Sequence, residues 1–164
     1  MHKHDQTIAV DAAVLTVSDS RTKENDASGS LIQNLLTKHG HSTIAYSIMK
    51  DEQSLISRTV TGWCENRSIQ AIIVTGGTGF SPRDITYEAV SRLFDKEMNG
   101  FGELFRSLSY DEIGPKAMFS RAAAGSLDGR AIYLLPGSEN AVKLGMEKLI
   151  LPTIQHFIEE LNRL

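Results

Sequence analysis

Short apolar runs alternate along this chain with longer segments whose apolar residues recur at helical spacing. The runs at residues 12–17, 43–48 and 71–75 each predict one strand, and the segments between them predict helices. Such alternation is typical of a mainly parallel sheet with helices on both faces. We therefore predict an α/β fold.

One segment, residues 121–135, departs from this alternation. Two apolar runs meet there at Asp128 and Gly129, a pair that favours the two-residue turn of a β-hairpin. The hairpin is expected to add an antiparallel element to the sheet. The other segments with helical spacing are residues 86–94, residues 102–110 and a long C-terminal stretch that Pro152 interrupts.

Length, charge and cysteine content limit the functions open to the chain. Its 164 residues are the length of one domain, and we expect residues 1–8 to form a flexible tail. The formal net charge of −3 gives no general attraction for nucleic acid. No apolar run approaches the roughly 20 residues of a membrane span, so we expect a cytoplasmic protein without a membrane partner. Cys64, the only cysteine, is interpreted as a half-buried helix residue rather than a nucleophile.

Loops that follow parallel strands open at one edge of the sheet, where ligands bind in open α/β folds. Four loops of this kind are predicted, at residues 18–21, 50–52, 76–84 and 136–138. We expect the chemistry of the protein at that edge.

The loop after the third predicted strand is rich in glycine, with Gly76, Gly77 and Gly79 close together. Glycine permits positive φ angles and leaves neighbouring amides uncovered, so successive N–H groups can bind an anion. We predict a phosphate site; the alternative is a tight turn that needs glycine for its shape alone. The loop is not a P-loop, because no lysine follows, and Pro82 stands where the dinucleotide fingerprint needs its third glycine.

Two aspartates at this edge each have two interpretations. Asp84 could share Mg²⁺ with phosphate oxygens, or it could cap the helix that begins near Thr86. Asp51 could cap the helix after it, or it could be the second carboxylate of a metal site.

A second phosphate position is predicted where the fourth loop enters the last helix. Ser138 follows Pro136 and Gly137 there, and the dipole of the helix favours an anion at its start. Two phosphate positions beside two carboxylates indicate phosphoryl or nucleotidyl transfer.

The glycine loop resembles the signature of the MoaB/MogA molybdopterin-binding family of molybdenum cofactor biosynthesis. TGGTG at residues 75–79 is followed by PRD at residues 82–84 and by Thr86. Further matching stretches are LTVSDS at 15–20, DE at 51–52, GFGE at 100–103, SRA at 120–122 with Gly125, and LPGS at 135–138. The resemblance covers nearly the whole chain and is closest to the MoaB branch over residues 100–114. It departs from the adenylylating members at Tyr87, where they usually carry proline, and at Glu139.

The resemblance implies one molybdopterin-binding domain over residues 1–164, with a three-layer α/β/α sandwich fold. It also implies a homotrimer or a hexamer. The implied activity is that of a molybdopterin adenylyltransferase, which uses ATP and Mg²⁺ to make the molybdopterin adenylate and releases pyrophosphate. A separate molybdenum insertase would then use the adenylate.

The residue roles that the resemblance implies concern the same edge of the sheet. Asp51 and Asp84 match the family's functional aspartates and would act in catalysis and hold the metal. The candidate binding residues are Ser18, Asp19, Thr75, Gly76, Gly77, Thr78, Gly79, Arg83, Ser120, Pro136, Gly137 and Ser138. Of these, the glycine loop and Ser120 would help to hold the pterin or its phosphate, and Gly137 and Ser138 the nucleotide phosphate.

Two other functions stay open. The first is a non-catalytic protein that binds and presents molybdopterin or the finished cofactor, with both aspartates serving only as helix caps. The second is a nucleotide-binding regulator or hydrolase on the same architecture, since a fold alone does not fix function. The apolar residues Phe101, Phe105, Met118 and Phe119 could belong to the core or to an interface between subunits.

Overall fold

The structure, a computed structural model, describes residues 8–163. Within these residues the strands are β1 (Asp11–Val17), β2 (Ser42–Met49), β3 (Ala71–Thr75), β4 (Lys96–Glu97), β5 (Ala123–Leu127) and β6 (Arg130–Leu135). The helices are α1 (Ala27–Lys38), α2 (Gln53–Glu65), α3 (Thr86–Ser91), α4 (Asn99–Ile113), α5 (Glu139–Gly145) and α6 (Leu151–Leu161). A 3₁₀ turn, Gly114–Phe119, follows α4, and a π-helical turn, Met146–Ile150, joins α5 to α6.

The strands form one mixed sheet in the order β2-β1-β3-β6-β5-β4. The pairs β1–β2, β1–β3 and β3–β6 are parallel, whereas β5 pairs antiparallel with both β6 and β4. The turn between β5 and β6 has positive φ at Asp128 and Gly129, +51° and +79°, as a two-residue hairpin turn requires. The predicted mainly parallel sheet with one hairpin is therefore confirmed.

Helices cover the sheet on both faces, because successive side chains of the central strands point to opposite sides. In β1, Ala12 and Val14 pack into the core beneath α1, α4, α5 and α6. Ala13 and Leu15 pack into a second core, beneath α2 and α3. The three-layer α/β/α arrangement follows directly from this double burial.

The register of the parallel strands brings their C-terminal ends to one edge of the sheet. Thr16 lies opposite Ile48 on one side and Thr75 on the other, and Thr75 lies opposite Leu135. Because α1 and α2 pack on opposite faces, the direction of chain winding reverses between β1 and β3. Ligands bind in open sheets beside such a reversal.

Several boundaries differ from those predicted. The helix predicted at residues 86–94 ends at Ser91, because the chain must turn there so that Asp95 can donate a hydrogen bond to Ser126 and begin β4. The sequence analysis did not predict β4, whose two residues are too few for a periodic signal. The predicted break near Pro152 is the π-helical turn that directly precedes α6, where proline lacks the amide of a regular helix.

Burial settles the interpretation of several apolar residues. Phe101 and Phe105 are core residues, whereas the side chains of Met118 and Phe119 are 70% and 52% exposed. Cys64 is more buried than predicted, at 2% exposure. No helix within residues 8–163 is long and apolar enough to cross a membrane. The predicted tail, residues 1–8, lies outside the described residues except for Ile8, whose carbonyl accepts a hydrogen bond from Gln155.

Candidate active site

A cleft of about 470 Å³ opens at the C-terminal edge of the parallel strands. All four loops that were predicted to meet at this edge contribute to it. Its lining residues are Thr16, Val17, Ser18, Asp19, Ser20, Arg21, Asp26, Ser28, Asp51, Thr75, Gly76, Gly77, Arg83, Asp84 and Gly137.

The glycine loop begins with two residues whose backbone conformation requires glycine. Gly76 and Gly77 have φ angles of +103° and +72°. A Cβ at Gly76 would lie 2.2 Å from the carbonyl oxygen of Val17, so β1 and the loop can approach only without a side chain there. Thr86 fixes the loop from α3, since its hydroxyl donates to the Gly76 oxygen and its amide to the Gly77 oxygen, at 2.8 and 3.0 Å.

The amides that follow are left unpaired by this arrangement. The backbone N–H groups of Gly77, Thr78, Gly79 and Phe80 donate hydrogen bonds to no residue within 8–163. The hydroxyl of Thr78 is buried without a hydrogen-bond partner in the same part of the chain. Successive unpaired amides in a glycine-rich turn form a concave site suited to a phosphate group.

Two carboxylates lie against this loop. A Cβ at Gly77 would be 3.0 Å from Oδ1 of Asp51, and one at Gly79 would be 2.7 Å from Oδ2 of Asp84. Partial burial raises the pKa of Asp51, and the nearby charge of Asp84 raises it further. The arrangement therefore concentrates negative charge beside an anion site, which is favourable when a cation binds between the two.

Neither aspartate caps a helix, the alternative role considered from the sequence. α2 and α3 begin after Glu52 and Ile85, and neither N-terminus receives a side-chain capping hydrogen bond. Oδ2 of Asp84 instead accepts hydrogen bonds from the amide and hydroxyl of Ser81, at 3.0 and 2.8 Å. Asp84 therefore closes a turn within the glycine loop while it lines the cleft.

Asp19 joins two of the loops around the cleft. One oxygen of its carboxylate accepts a hydrogen bond from the amide of Asp51 at 3.1 Å, and the other forms a salt bridge with Arg83. The cation of Arg83 is thus held at the cleft, on the loop that carries the unpaired amides.

Asp26, a buried residue that the sequence analysis missed, lines the cleft beside β1. Asp26 is 1% exposed and caps α1 through a hydrogen bond from the amide of Gly29. Its other oxygen accepts hydrogen bonds from the hydroxyls of Thr16 and Tyr46, at 2.7 and 2.5 Å. An aspartate just before a helical segment is an N-cap signal, so the sequence offered a way to find it.

Ser28 connects this helix to the fourth loop, because its hydroxyl donates to the Gly137 oxygen at 2.7 Å. Thr75 binds the same loop from β3, because its hydroxyl donates to the Pro136 oxygen at 2.7 Å. These two bonds fix the position of the loop at residues 136–138 relative to the glycine loop. Neither bond could be foreseen from sequence spacing, since the partners are far apart in the chain.

Five of the predicted binding residues do not line the cleft. They are Thr78, Gly79, Ser120, Pro136 and Ser138. Ser138 caps α5, where its hydroxyl accepts a hydrogen bond from the amide of Ala141. The backbone carbonyl oxygen of Ser120 accepts a hydrogen bond from the guanidinium of Arg106.

The donor set suits Mg²⁺ shared with a phosphate better than a site made of protein alone. Within residues 8–163, no three His, Cys, Asp or Glu side chains come together as a metal site. Asp51 and Asp84 are a pair of hard oxygen donors beside an anion site. Mg²⁺ is usually bound by one or two carboxylates together with substrate phosphates, so these residues fit the ion.

Residues 13–156 match the family model described as "Probable molybdopterin binding domain". The chain therefore belongs to this family of molybdenum cofactor biosynthesis proteins. It is 45% identical over 163 residues to molybdenum cofactor biosynthesis protein B of Bacillus subtilis (strain 168), covering 99% of this chain and 96% of that protein.

Solved structures of similar proteins have the same fold. A crystal structure of a molybdenum cofactor biosynthesis protein B is 44% identical, with a TM-score of 0.93 over 96% of this chain and 98% of that one. The tungsten cofactor synthesizing protein MoaB from Pyrococcus furiosus is 35% identical, with a TM-score of 0.86 over 94% of this chain and 98% of that one.

Proposed function

We propose that the protein is a molybdopterin adenylyltransferase, which transfers AMP from Mg-ATP to the terminal phosphate of molybdopterin and releases pyrophosphate. One observation carries the proposal: Gly77, the first residue of the unpaired amide run, lines the same cleft as the two carboxylates Asp51 and Asp84. The similar proteins are named for the synthesis of molybdenum and tungsten cofactors, which supports the substrate class.

The reaction joins two polyanions and needs little covalent help from the protein. An oxygen of the molybdopterin phosphate attacks the α-phosphorus of ATP, and the bond from that phosphorus to the bridging oxygen breaks. Pyrophosphate leaves with the electron pair. A phosphate monoester has a second pKa of about 6, so the attacking oxygen is already ionised near neutral pH. Catalysis then consists of aligning the two phosphates and offsetting their repulsion.

The residues of the cleft divide these tasks. The loop amides from Gly77 to Phe80 bind one phosphate, and Arg83 adds a positive charge beside it. Asp51 and Asp84 would hold Mg²⁺, which supplies charge neutralisation to the phosphate oxygens when bound. The nucleotide lies toward Gly137 at the other side of the cleft. We propose a cytoplasmic location for the protein, because its co-substrate in this reaction is ATP.

The direct test is incubation of the purified protein with molybdopterin, ATP and Mg²⁺, with chromatographic detection of the adenylate and measurement of pyrophosphate. We expect Asp84→Asn to lower the rate by about a hundredfold or more, since it removes several kcal/mol of charge stabilisation. Asp11→Asn is the matched control, because Asp11 is the first residue of β1, at the end of the strands opposite the cleft. Equal rates for the wild type and Asp84→Asn would overturn the proposal.

One observation favours a second candidate function, binding and presentation of molybdopterin without catalysis. Asp84 has a structural role in the glycine loop through its two hydrogen bonds from Ser81, and that role needs no metal. Under this alternative, the protein would bind molybdopterin tightly and consume no ATP with or without Mg²⁺. Molybdopterin-dependent release of pyrophosphate would exclude it.

We further propose that the chain assembles as a homotrimer or hexamer and passes its product to a molybdenum insertase. The exposed apolar side chains of α4 and the 3₁₀ turn support assembly; they include Leu104, Tyr110, Ile113, Met118 and Phe119. A concentration of exposed apolar side chains along one segment favours a protein interface. Light scattering should give a mass of about three or six times the 18.0 kDa of the chain. A particle of single-chain mass at micromolar concentration would contradict it.

A further inference from the structure

Arg121 contacts the glycine loop without lining the cleft. It stands between the 3₁₀ turn and β5. Its side chain donates from Nε to the Gly79 oxygen at 2.9 Å and from Nη2 to the Asp84 oxygen at 2.8 Å. Its backbone amide donates to the Thr78 oxygen at 2.8 Å. One residue therefore binds three carbonyl groups of the loop.

Three neighbouring side chains hold the guanidinium in place. Its Cζ lies 5.7 Å from the ring centroids of both Phe80 and Tyr87. Nη1 pairs with the carboxylate of Glu88, and this bond lowers the pKa of Glu88. The side chain is 23% exposed. Its orientation is thus fixed by α3 and by the loop, so the bonds to the carbonyls have a defined direction.

The direction of those carbonyls determines where the amides point. In a trans peptide the C=O group and the N–H group of the next residue point in opposite directions. Because the oxygens of Thr78 and Gly79 are turned toward Arg121, the amides of Gly79 and Phe80 point away from it. Both belong to the unpaired set, since neither donates to a residue within 8–163.

We propose that Arg121 is a positioning residue, which orients the loop amides for a phosphate and fixes the backbone that carries the Asp84 carboxylate. The inference rests on the proposed function and deepens it, because it assigns to a residue outside the cleft the pre-organisation of the anion site. A phosphate ligand then meets amides that are already turned outward.

Lysine cannot perform this task, although it carries the same charge. The planar guanidinium has N–H donors in a fixed fork, which here serve two carbonyls and one carboxylate, and it packs between two rings. A lysine ammonium is a point charge on a flexible stem. The substitution Arg121→Lys therefore separates positioning from simple attraction between Arg121 and the substrate.

The experiment compares Arg121→Gln and Arg121→Lys with Arg106→Gln as the matched control. Arg106 donates to the oxygens of Ser120 and Ala122, both at 3.2 Å, so it supports the same segment without contacting the glycine loop. The first measurement is hydrogen exchange of peptides that cover residues 76–85. The second is kcat and KM for adenylate formation, with and without added guanidinium in the Arg121→Gln variant.

Both Arg121 variants should exchange the hydrogen-bonded amides of the loop, those of Gly76, Ser81 and Asp84, roughly tenfold faster or more, since the loop opens locally. The two Arg121 variants should also lower kcat by roughly 10- to 100-fold, the usual effect of a small misplacement of reacting groups. Arg106→Gln should stay within about threefold of the wild type in both the exchange rate and kcat. Guanidinium should restore part of the kcat of Arg121→Gln. Arg121→Lys with wild-type exchange and kcat would overturn the inference.

Two further outcomes keep the inference separate from the proposed function. Exchange at residues 76–85 needs no catalysis, so unchanged exchange in folded Arg121→Gln overturns the inference even if the wild type forms no adenylate. If Arg121→Gln does not fold, Glu88→Ala removes the partner of Nη1 and leaves the loop untouched. That variant should accelerate exchange of the loop peptides, and wild-type exchange would overturn the inference.

Discussion

Asp51, in the loop after β2, lies against the glycine loop that carries Asp84, and the charge of Asp84 raises the pKa of Asp51 beyond the effect of burial. Asp51 lies against Gly77 and Asp84 against Gly79, so the two carboxylates flank the unpaired amides. Proteins place like charges together where a cation or a reaction uses them. The first prediction follows from this pair.

Asp51→Asn should weaken binding of Mg²⁺ in the presence of AMP or pyrophosphate by roughly tenfold or more, because a charge pair at contact distance is worth about 1–4 kcal/mol. The same substitution removes repulsion between the carboxylates, so the melting temperature without Mg²⁺ should stay the same or rise. Calorimetric titration and thermal melts measure the two effects. A large loss of stability with unchanged Mg²⁺ affinity would show that Asp51 is structural.

Gly77→Ala should disrupt the site, whereas Gly62→Ala should stabilise the protein. A Cβ at Gly77 would meet the Thr86 hydroxyl at 2.2 Å, and the residue has a φ angle of +72°. Gly62 is exposed within α2 and a Cβ there meets nothing within 4 Å, so alanine should add roughly 0.5–1 kcal/mol of stability. Urea unfolding and adenylate formation test both variants. Wild-type activity in Gly77→Ala would contradict the described loop geometry.

His41 should make the fold less stable in mild acid. Its Nδ1 accepts a hydrogen bond from the amide of Val10 at 3.0 Å, which requires the neutral ring. Burial, with a smaller contribution from His39, lowers the pKa of His41 below its ordinary 6.5. The unfolded chain therefore binds the proton more readily, and the free energy of unfolding falls as the pH drops below about 6.5, by at most about 1.4 kcal/mol per pH unit.

Urea unfolding of the wild type and of His41→Asn between pH 5 and 8 measures this effect. Asparagine can accept the Val10 hydrogen bond without titrating, so the variant should lose that component of the pH dependence. Identical pH profiles for the two proteins would show that His41 is not responsible.

Cys64 should resist alkylation in the native protein. Its side chain is buried between α2 and the sheet, and burial raises the pKa of the thiol to about 11. Few thiolates form near neutral pH, and reagents reach them only after unfolding. Mass spectrometry after iodoacetamide treatment at pH 8, with and without urea, should show modification only in urea. Modification of the folded protein at the rate of a free thiol would contradict this packing.

The fold could be predicted from the sequence because its signals are local. The buried residues of β1 and β3 form continuous runs in the sequence, and the Asp128–Gly129 pair is sufficient to specify a two-residue turn. β4 could not be predicted, since its two residues pair only because β5 offers an edge.

The candidate site was predictable only in part. Parallel connection alone placed Asp51 and Asp84 at the same edge, but the contact of Arg121 with Gly79 joins residues 42 positions apart. The carboxylate of Asp26 likewise accepts a hydrogen bond from Tyr46, which lies 20 residues away in the sequence. Such bonds depend on tertiary geometry, for which a single sequence carries no periodic signal. The exposed Met118 and Phe119 were also ambiguous, because apolar periodicity is the same for a core face and an interface.

The central claim is that the amides from Gly77 to Phe80 bind a phosphate that shares a divalent cation with Asp51 and Asp84. The most direct measurement is a crystal structure with molybdopterin or AMP and Mn²⁺, whose anomalous signal locates the metal. We predict a phosphate within hydrogen-bond distance of those amides and a metal bound by both carboxylates. A phosphate bound elsewhere, with Asp84 still engaged only by Ser81 and no metal beside it, would contradict the account.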